Sequence, residues 1–203
     1  MGYAVVILIS YVLGSSSMAF YLSKLKSVDV RKNGSGNLGA SNTTALLGWG
    51  AGILVALHDI GKAFLAVVLA QLLLPDHAYI GTVAGVAAVL GHIFPFYLGF
   101  RGGKGFASFW GMTLALNWKL ALIVGVLAIV ITLVTDYIAL ATTMTVLVVP
   151  VYSAFDHQSI IPLLIMLVAT LVMIWKHRDN YARILKGEEI GLRSGARGDH
   201  RIK

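Results

Sequence analysis

Apolar residues come in long blocks along this chain, and the polar residues gather between them. A membrane-spanning helix needs about 20 mostly apolar residues. On that measure the blocks predict helices near 3–22, 49–74, 78–98, 119–136, 137–155 and 160–176. A shorter helix near 105–117 has to be tilted or partly interfacial. The pattern predicts an all-α, polytopic integral membrane protein with seven transmembrane helices. They form one domain over 1–187, followed by a basic cytoplasmic tail over 188–203.

Composition sharpens this picture. The chain is 58% hydrophobic and 12% charged, with a mean hydropathy of +0.82, against about 45–50% and about 25% for a soluble domain. Too few charges remain to cover a water-facing surface, so the bilayer is the expected solvent and partner. The net charge of +7 then reports orientation and contact with anionic headgroups, and nucleic acid is not an expected partner. With no cysteine, disulfides, thiolate catalysis and Cys-based metal sites are excluded. No Lys or Arg precedes Lys24, so the first block lacks the charged start of a signal peptide and reads as a retained helix.

Orientation follows from the cations. With the N-terminus outside and seven spans, 14 of the 16 basic residues fall on the cytoplasmic side: those in 23–48, in 99–104 and after 175. Lys119 falls outside and Lys62 lies within a helix. The positive-inside rule favours that arrangement, with the C-terminus in the cytoplasm. The outer connections, such as Pro75–His77 and Phe155–Ser159, are too short for a further domain.

Three polar clusters carry candidate chemistry. The first runs from Arg31 to Asn42 and contains Gly34, Ser35, Gly36, Asn37 and Ser41. Its glycines permit tight turns whose N–H groups can converge on an anion, with side-chain donors beside them. By composition alone it is also an ordinary loop. The second runs from Gly91 and His92 through Pro95 to Arg101, Gly102, Gly103, Lys104 and Gly105. Lysine among glycines suits a phosphate. It is not a Walker A loop, because Leu98 stands where the first glycine should be and Gly105 stands where Ser or Thr is required. His92 taken alone reads as a structural histidine near a proline. The third cluster, from Lys176 to Glu189, puts His177, Asn180 and Tyr181 on one helical face. Taken alone, it reads as the basic end of a helix.

Asp59 and Lys62, three apart inside the second long helix, fit either a structural ion pair or a pair that lines a site, facing a polar cavity. The charge argument sets all three clusters on the cytoplasmic face. A pocket there opens to water and to lipid together, which suits an enzyme that joins a phosphorylated, water-soluble molecule to a fatty chain.

At these residues the sequence resembles the PlsY family of bacterial membrane acyltransferases. The likeness runs through Arg31, Gly34 to Asn42, Asp59 with Lys62, Gly91-His92, Gly99 to Gly105, and His177 to Glu189. The resemblance implies a seven-helix protein of the bacterial inner membrane that needs no cofactor and no metal. It implies acyl-phosphate and glycerol 3-phosphate as substrates, with 1-acylglycerol 3-phosphate and phosphate as products. By position, Ser35, Lys104, His177 and Asn180 would be the catalytic residues. Gly34, Gly36, Asn37, Asn42, His92, Arg101, Gly102, Gly103 and Gly105 would form the substrate site. No evident nucleophile appears in the motifs, which favours direct transfer over an acyl-enzyme. His177 and the donor's own phosphate are both candidate bases.

The chain departs from the family pattern at Ala45, in place of an arginine, and at Asp136 and Ala139, in place of an arginine and a serine. These leave open a relative with another acceptor or weak activity. A transporter is a further alternative: Asp59–Lys62 favours it, while the one-sided clustering of the polar loops opposes it.

Overall fold

The computed structural model describes residues 2–189 and residue 191, and contains helices, turns and loops, with no strand among the described residues. Most of the tail expected over 188–203 lies outside the described residues. The first apolar block is divided into α1 (Gly2–Ser15) and α2 (Met18–Leu25). Serine chemistry accounts for the break. Ser15 and Ser16 hydroxyls donate to the carbonyls of Tyr11 and Leu13, at 2.8 and 2.9 Å. Ser17 caps α2 by accepting from the Phe20 N–H at 3.3 Å.

Next comes α3 (Ala40–Leu47), which the hydrophobic pattern does not show, and then α4 (Trp49–Leu73). The third block becomes α5 (Ile80–Ile93) with a 3-10 turn at Phe96–Leu98 beyond Pro95. It is followed by α6 (Phe106–Leu116), α7 (Trp118–Thr135), α8 (Ile138–Asp156) and α9 (Ile161–Lys176). A polar α10 (Arg178–Lys186) continues from α9 at a 43° bend.

Taking α1 with α2 and α5 with its 3-10 turn, five helical segments are long and apolar enough to cross a membrane, or six if α9 and α10 count as one bent span. The shortfall from seven has a plain cause. The 11 residues of α6 rise roughly 16 Å, about half of a 30 Å hydrocarbon layer.

Apolar side chains face both ways, as a bilayer demands. Val67, Val89, Phe109, Met112, Val124, Val146, Met166 and Met173 form the main core, while Leu57, Leu72, Ile129 and Val134 face outward. Since lipid is as apolar as leucine, close backbone approach must help hold the helices together. Gly14 and Gly91 let α1 lie directly on α5, and Gly111 lets α6 lie on the α4 backbone at Ile60.

Candidate active site

The loop between α2 and α3 is organised by one buried side chain. Asn42, in the first turn of α3, accepts from the Ser35 N–H at 2.9 Å and donates to the carbonyls of Val30, Asn33 and Asn37 at 3.0–3.2 Å. Its oxygen leaves no room for a side chain at Gly34. The Gly36 N–H donates to Asn33 O at 3.1 Å. Asn42 and the Ser35 and Gly36 N–H groups are thus engaged within the loop itself. The exposed Ser35 side chain is left at the tip, beside Gly36 and Asn37.

The glycine-rich loop after α5 behaves in a similar way. A helix leaves its last carbonyls without partners. Here Gly103 N–H donates to His92 O at 3.2 Å, Gly102 N–H to Ile93 O at 3.0 Å, and the Tyr11 hydroxyl to Phe94 O at 2.6 Å. Gly102 and Gly103 therefore cap α5. The expected cradle of glycine amides around a phosphate is not formed by these two. They must be glycine for space: a Cβ at Gly102 would meet His92 O, and one at Gly103 would meet the His92 ring. Gly105 has φ +97°, which a side chain would strain. His92 is buried beneath the turn, 2.9 Å from Lys62 Nζ, and does not line the cleft described below.

Lys104 follows directly and reaches α10. Its ammonium donates to Asn180 Oδ1. Asn180 Nδ2 donates to Glu189 Oε1 at 2.5 Å, and Arg183 Nε donates to Glu189 Oε2 at 2.6 Å. The carboxylate fixes which way the amide points, so its oxygen faces Lys104. Burial pulls Lys104 below the ordinary lysine range, and the Glu189 charge opposes the shift. Among the described residues Asn180 is the acceptor that Lys104 meets, and the remaining ammonium protons are available to an anion.

His177 sits at the α9–α10 bend, buried. Its Nδ1 lies 2.8 Å from the Met173 carbonyl. A carbonyl only accepts, so Nδ1 carries the proton and Nε2 offers a lone pair. Burial lowers the affinity of His177 for a second proton. The Met173 bond opposes that shift and the Lys104 charge adds to it. The ring is therefore neutral at neutral pH.

These segments border a cleft of about 590 Å³. Of the predicted residues, Ser35, Gly36, Asn37, Arg101, Gly102 and Lys104 line it, while His177 and Asn180 lie behind Lys104. Sequence reasoning assigned no site role to Lys32, Trp175, Arg178 or Asp179, which also line it. The available signal was the aromatic–cation run at the end of α9, where the Arg178 guanidinium stacks 4.6 Å from the Trp175 ring. Six cationic side chains (Arg31, Lys32, Arg101, Lys104, Lys176 and Arg178) face the cleft against the carboxylates of Asp29 and Asp179. Among the described residues no group of three His, Asp or Glu is placed to hold a metal.

A family model described as glycerol-3-phosphate acyltransferase matches residues 4–187. The chain belongs to that family. It is 39% identical over 186 residues to a glycerol-3-phosphate acyltransferase of Halalkalibacterium halodurans, covering 89% of this chain and 90% of the relative. Its fold is similar to crystal structures of PlsY (YgiH), an integral membrane glycerol 3-phosphate acyltransferase. The TM-score is 0.87 for the glycerol 3-phosphate form and 0.84 for the lysophosphatidic acid form, both at 32% identity. The match covers 94% of this chain, and 96% and 95% of those chains. This acyltransferase fold is thus a multi-pass membrane protein.

Within the family fold, none of the three departures is among the residues lining the cleft. Ala45 is exposed on α3 and outside the lining residues. Asp136 ends α7 in a left-handed conformation, φ 71°, its N–H donating to Thr132 O at 2.8 Å. Gly191 packs against its carboxylate. Ala139 is buried in the first turn of α8.

Proposed function

We propose that this chain transfers a fatty acyl group from an acyl phosphate to the 1-hydroxyl of glycerol 3-phosphate at the cytoplasmic face of a bacterial inner membrane. The products are 1-acylglycerol 3-phosphate (lysophosphatidic acid) and inorganic phosphate, the chemistry of phospholipid biosynthesis. The observation that carries this reading is the cleft itself: six cations around two glycine-rich loops, in a volume suited to a small ligand. Two phosphorylated substrates demand such a surplus of positive charge. The PlsY relatives, solved in forms named for glycerol 3-phosphate and lysophosphatidic acid, support the same acceptor and product.

The hydroxyl oxygen of the acceptor bonds to the acyl carbonyl carbon. The bond from that carbon to the phosphate oxygen breaks, and the hydroxyl proton leaves with phosphate, directly or by way of His177 Nε2. Lys104, oriented by Asn180, neutralises charge on the phosphate side, and the Ser35 hydroxyl at the loop tip hydrogen-bonds substrate oxygen. Arg31 and Arg101 draw the second phosphate into the cleft.

The reading includes seven spans with the N-terminus outside. Supporting this, α7 is long enough to cross and ends at Asp136, against Gly191. Thr143, just beyond on α8, hydrogen-bonds Tyr181 of α10 at 2.7 Å. The end of α7 thus lies on the cleft side, and its start at Trp118 lies opposite. Only Asn117 separates α6 from α7, so short α6 and the loop before it together make the remaining crossing.

The test is an assay of purified protein in detergent with acyl phosphate and labelled glycerol 3-phosphate. Phosphate release without labelled lysophosphatidic acid would reject the acceptor. For orientation, Asn33→Cys and Leu185→Cys should react with an impermeant thiol reagent from the cytoplasmic side, and Gln158→Cys from outside. The chain's lack of cysteine gives that labelling no background, and opposite-side labelling of Asn33→Cys and Leu185→Cys would end the seven-span reading.

A further inference from the structure

Behind the cleft lies a buried polar node with no direct part in the transfer. Asp59 and Lys62 sit one turn apart on α4, and both are buried. Lys62 Nζ lies 2.8 Å from Asp59 Oδ1, 2.7 Å from the Ser16 carbonyl oxygen and 2.9 Å from His92 Nδ1. His92 Nδ1 also lies 3.3 Å from Asp59 Oδ1, so ammonium, carboxylate and imidazole meet at one point. The node ties α4 to the break between α1 and α2 and to the end of α5. Its residues are not among those that line the cleft.

The imidazole meets Lys62 and Asp59 through Nδ1, at 2.9 and 3.3 Å, and leaves Nε2 as its other edge. That nitrogen faces the turn above it, at the place where a Cβ on Gly103 would fall. The carbonyl of the same histidine accepts the Gly103 N–H at 3.2 Å. One residue therefore holds this turn twice, through its ring and through its backbone. Lys104 is the next residue.

We propose that His92, clamped by Lys62 and Asp59, is a positioning residue for the acyl transfer: its ring is the floor under the Gly102–Gly103 turn and sets where Lys104 meets phosphate. The inference rests on the reading that Lys104 holds a phosphate of the substrates. A displaced floor moves the ammonium off its position, and binding suffers although no substrate touches His92.

A double-mutant cycle tests this in purified protein, with acyl phosphate and glycerol 3-phosphate varied separately and melting temperature recorded for each variant. Gly103→Ala pushes a methyl group into the ring and should raise the KM of at least one phosphorylated substrate roughly tenfold, a coupling within the range for contacting residues. His92→Ala should raise it as well. The double variant should bind better than Gly103→Ala alone, because the missing ring leaves room for the methyl. Losses that simply multiply would overturn the proposal. If His92→Ala does not fold, His92→Asn keeps an acceptor for Lys62 but removes the ring, and a wild-type KM for it would be equally fatal. Lys104→Met run in parallel separates the two readings. An unchanged KM there removes the phosphate role of Lys104 and this inference with it. A raised KM without coupling between positions 92 and 103 removes this inference alone.

Discussion

One buried lysine and one half-buried lysine in this molecule are used in opposite ways. Lys62 is enclosed by three protein groups, the Asp59 carboxylate, the Ser16 carbonyl and the His92 ring. Lys104 meets one, Asn180, among the described residues, and that one is braced by Glu189 and Arg183. An ammonium so enclosed is a joint between helices. An ammonium held in place with donors unused is a receptor for an anion. Counting partners around each lysine separates scaffold from site more sharply than depth or motif does.

The largest effect that can break this contrast is on stability. Lys62→Met leaves Asp59 buried without its ammonium, beside only the rings of His92 and His58, and should cost about 3–5 kcal/mol, the usual penalty for halving a buried pair. The check is thermal unfolding in detergent. Replacing both residues, Asp59→Leu with Lys62→Met, should recover much of the loss. If Lys62→Met melts like the wild type, the joint is not structural.

Lys104→Met should do the reverse. Its melting temperature stays near that of the wild type, while kcat/KM falls about ten- to a hundredfold, the worth of one charge-assisted hydrogen bond. Steady-state kinetics on correctly inserted protein settles which lysine the reaction feels.

Both regions were partly legible in the sequence, and what was hidden has physical causes. The apolar blocks located α4, α7, α8 and α9 to within a residue or two. The 3–22 block hid the break at Ser16 and Ser17, because serines within a greasy run look like tolerated helix residues until their hydroxyls compete for the backbone. Helix α3 went unseen because Ala-Ser-Asn-Thr-Thr between glycines has the composition of a loop. Thr43 and Thr44 turn their hydroxyls back to Gly39 and Ala40 carbonyls, which lets a polar segment stay helical. Lys104 and Asn180 were named from motifs, yet which amides were already taken could not be read from spacing. The Gly102 and Gly103 donors answer to carbonyls of a helix that ends several residues earlier. The pairing of Asp59 with Lys62 was visible from their separation. The third member, His92, lies 30 positions from Lys62 and only the fold brings it in.

A moderate effect concerns acid. Burial holds His177 below its usual value, and an unfolded histidine titrates near about 6.5. A depressed folded value gives a contribution that is full above the unfolded value and is lost as pH falls through the folded one. Wild-type stability should therefore decline on acidification below about pH 6.5, and His177→Gln should flatten that decline in a pH series of melting curves. If the wild-type activity profile falls with the same midpoint and the variant is inactive, His177 Nε2 is the group that moves the proton. A variant that keeps activity with a flat acid limb leaves the task to phosphate.

The smallest expected change is at Ala45. An arginine restored there stands exposed on α3, outside the cleft lining, and must reach in. Ala45→Arg should lower the KM for glycerol 3-phosphate a few-fold at most, well under the limit for a charge-assisted bond of about a hundredfold. A larger gain would mean that this chain has traded acceptor affinity for something else at that position.

The capping of α5 by Gly102 and Gly103 has a mechanical consequence for turnover. A loop that finishes a helix cannot swing away as a lid without fraying the helix it completes, and Tyr11 latches the next carbonyl from a different helix. On the proposed function, substrate exchange would then fall to the side chains. The long arms of Arg31, Arg101 and Arg178 bend at many torsions and can part to let a lipid product slide out sideways, while the backbone beneath them stays still as an anvil.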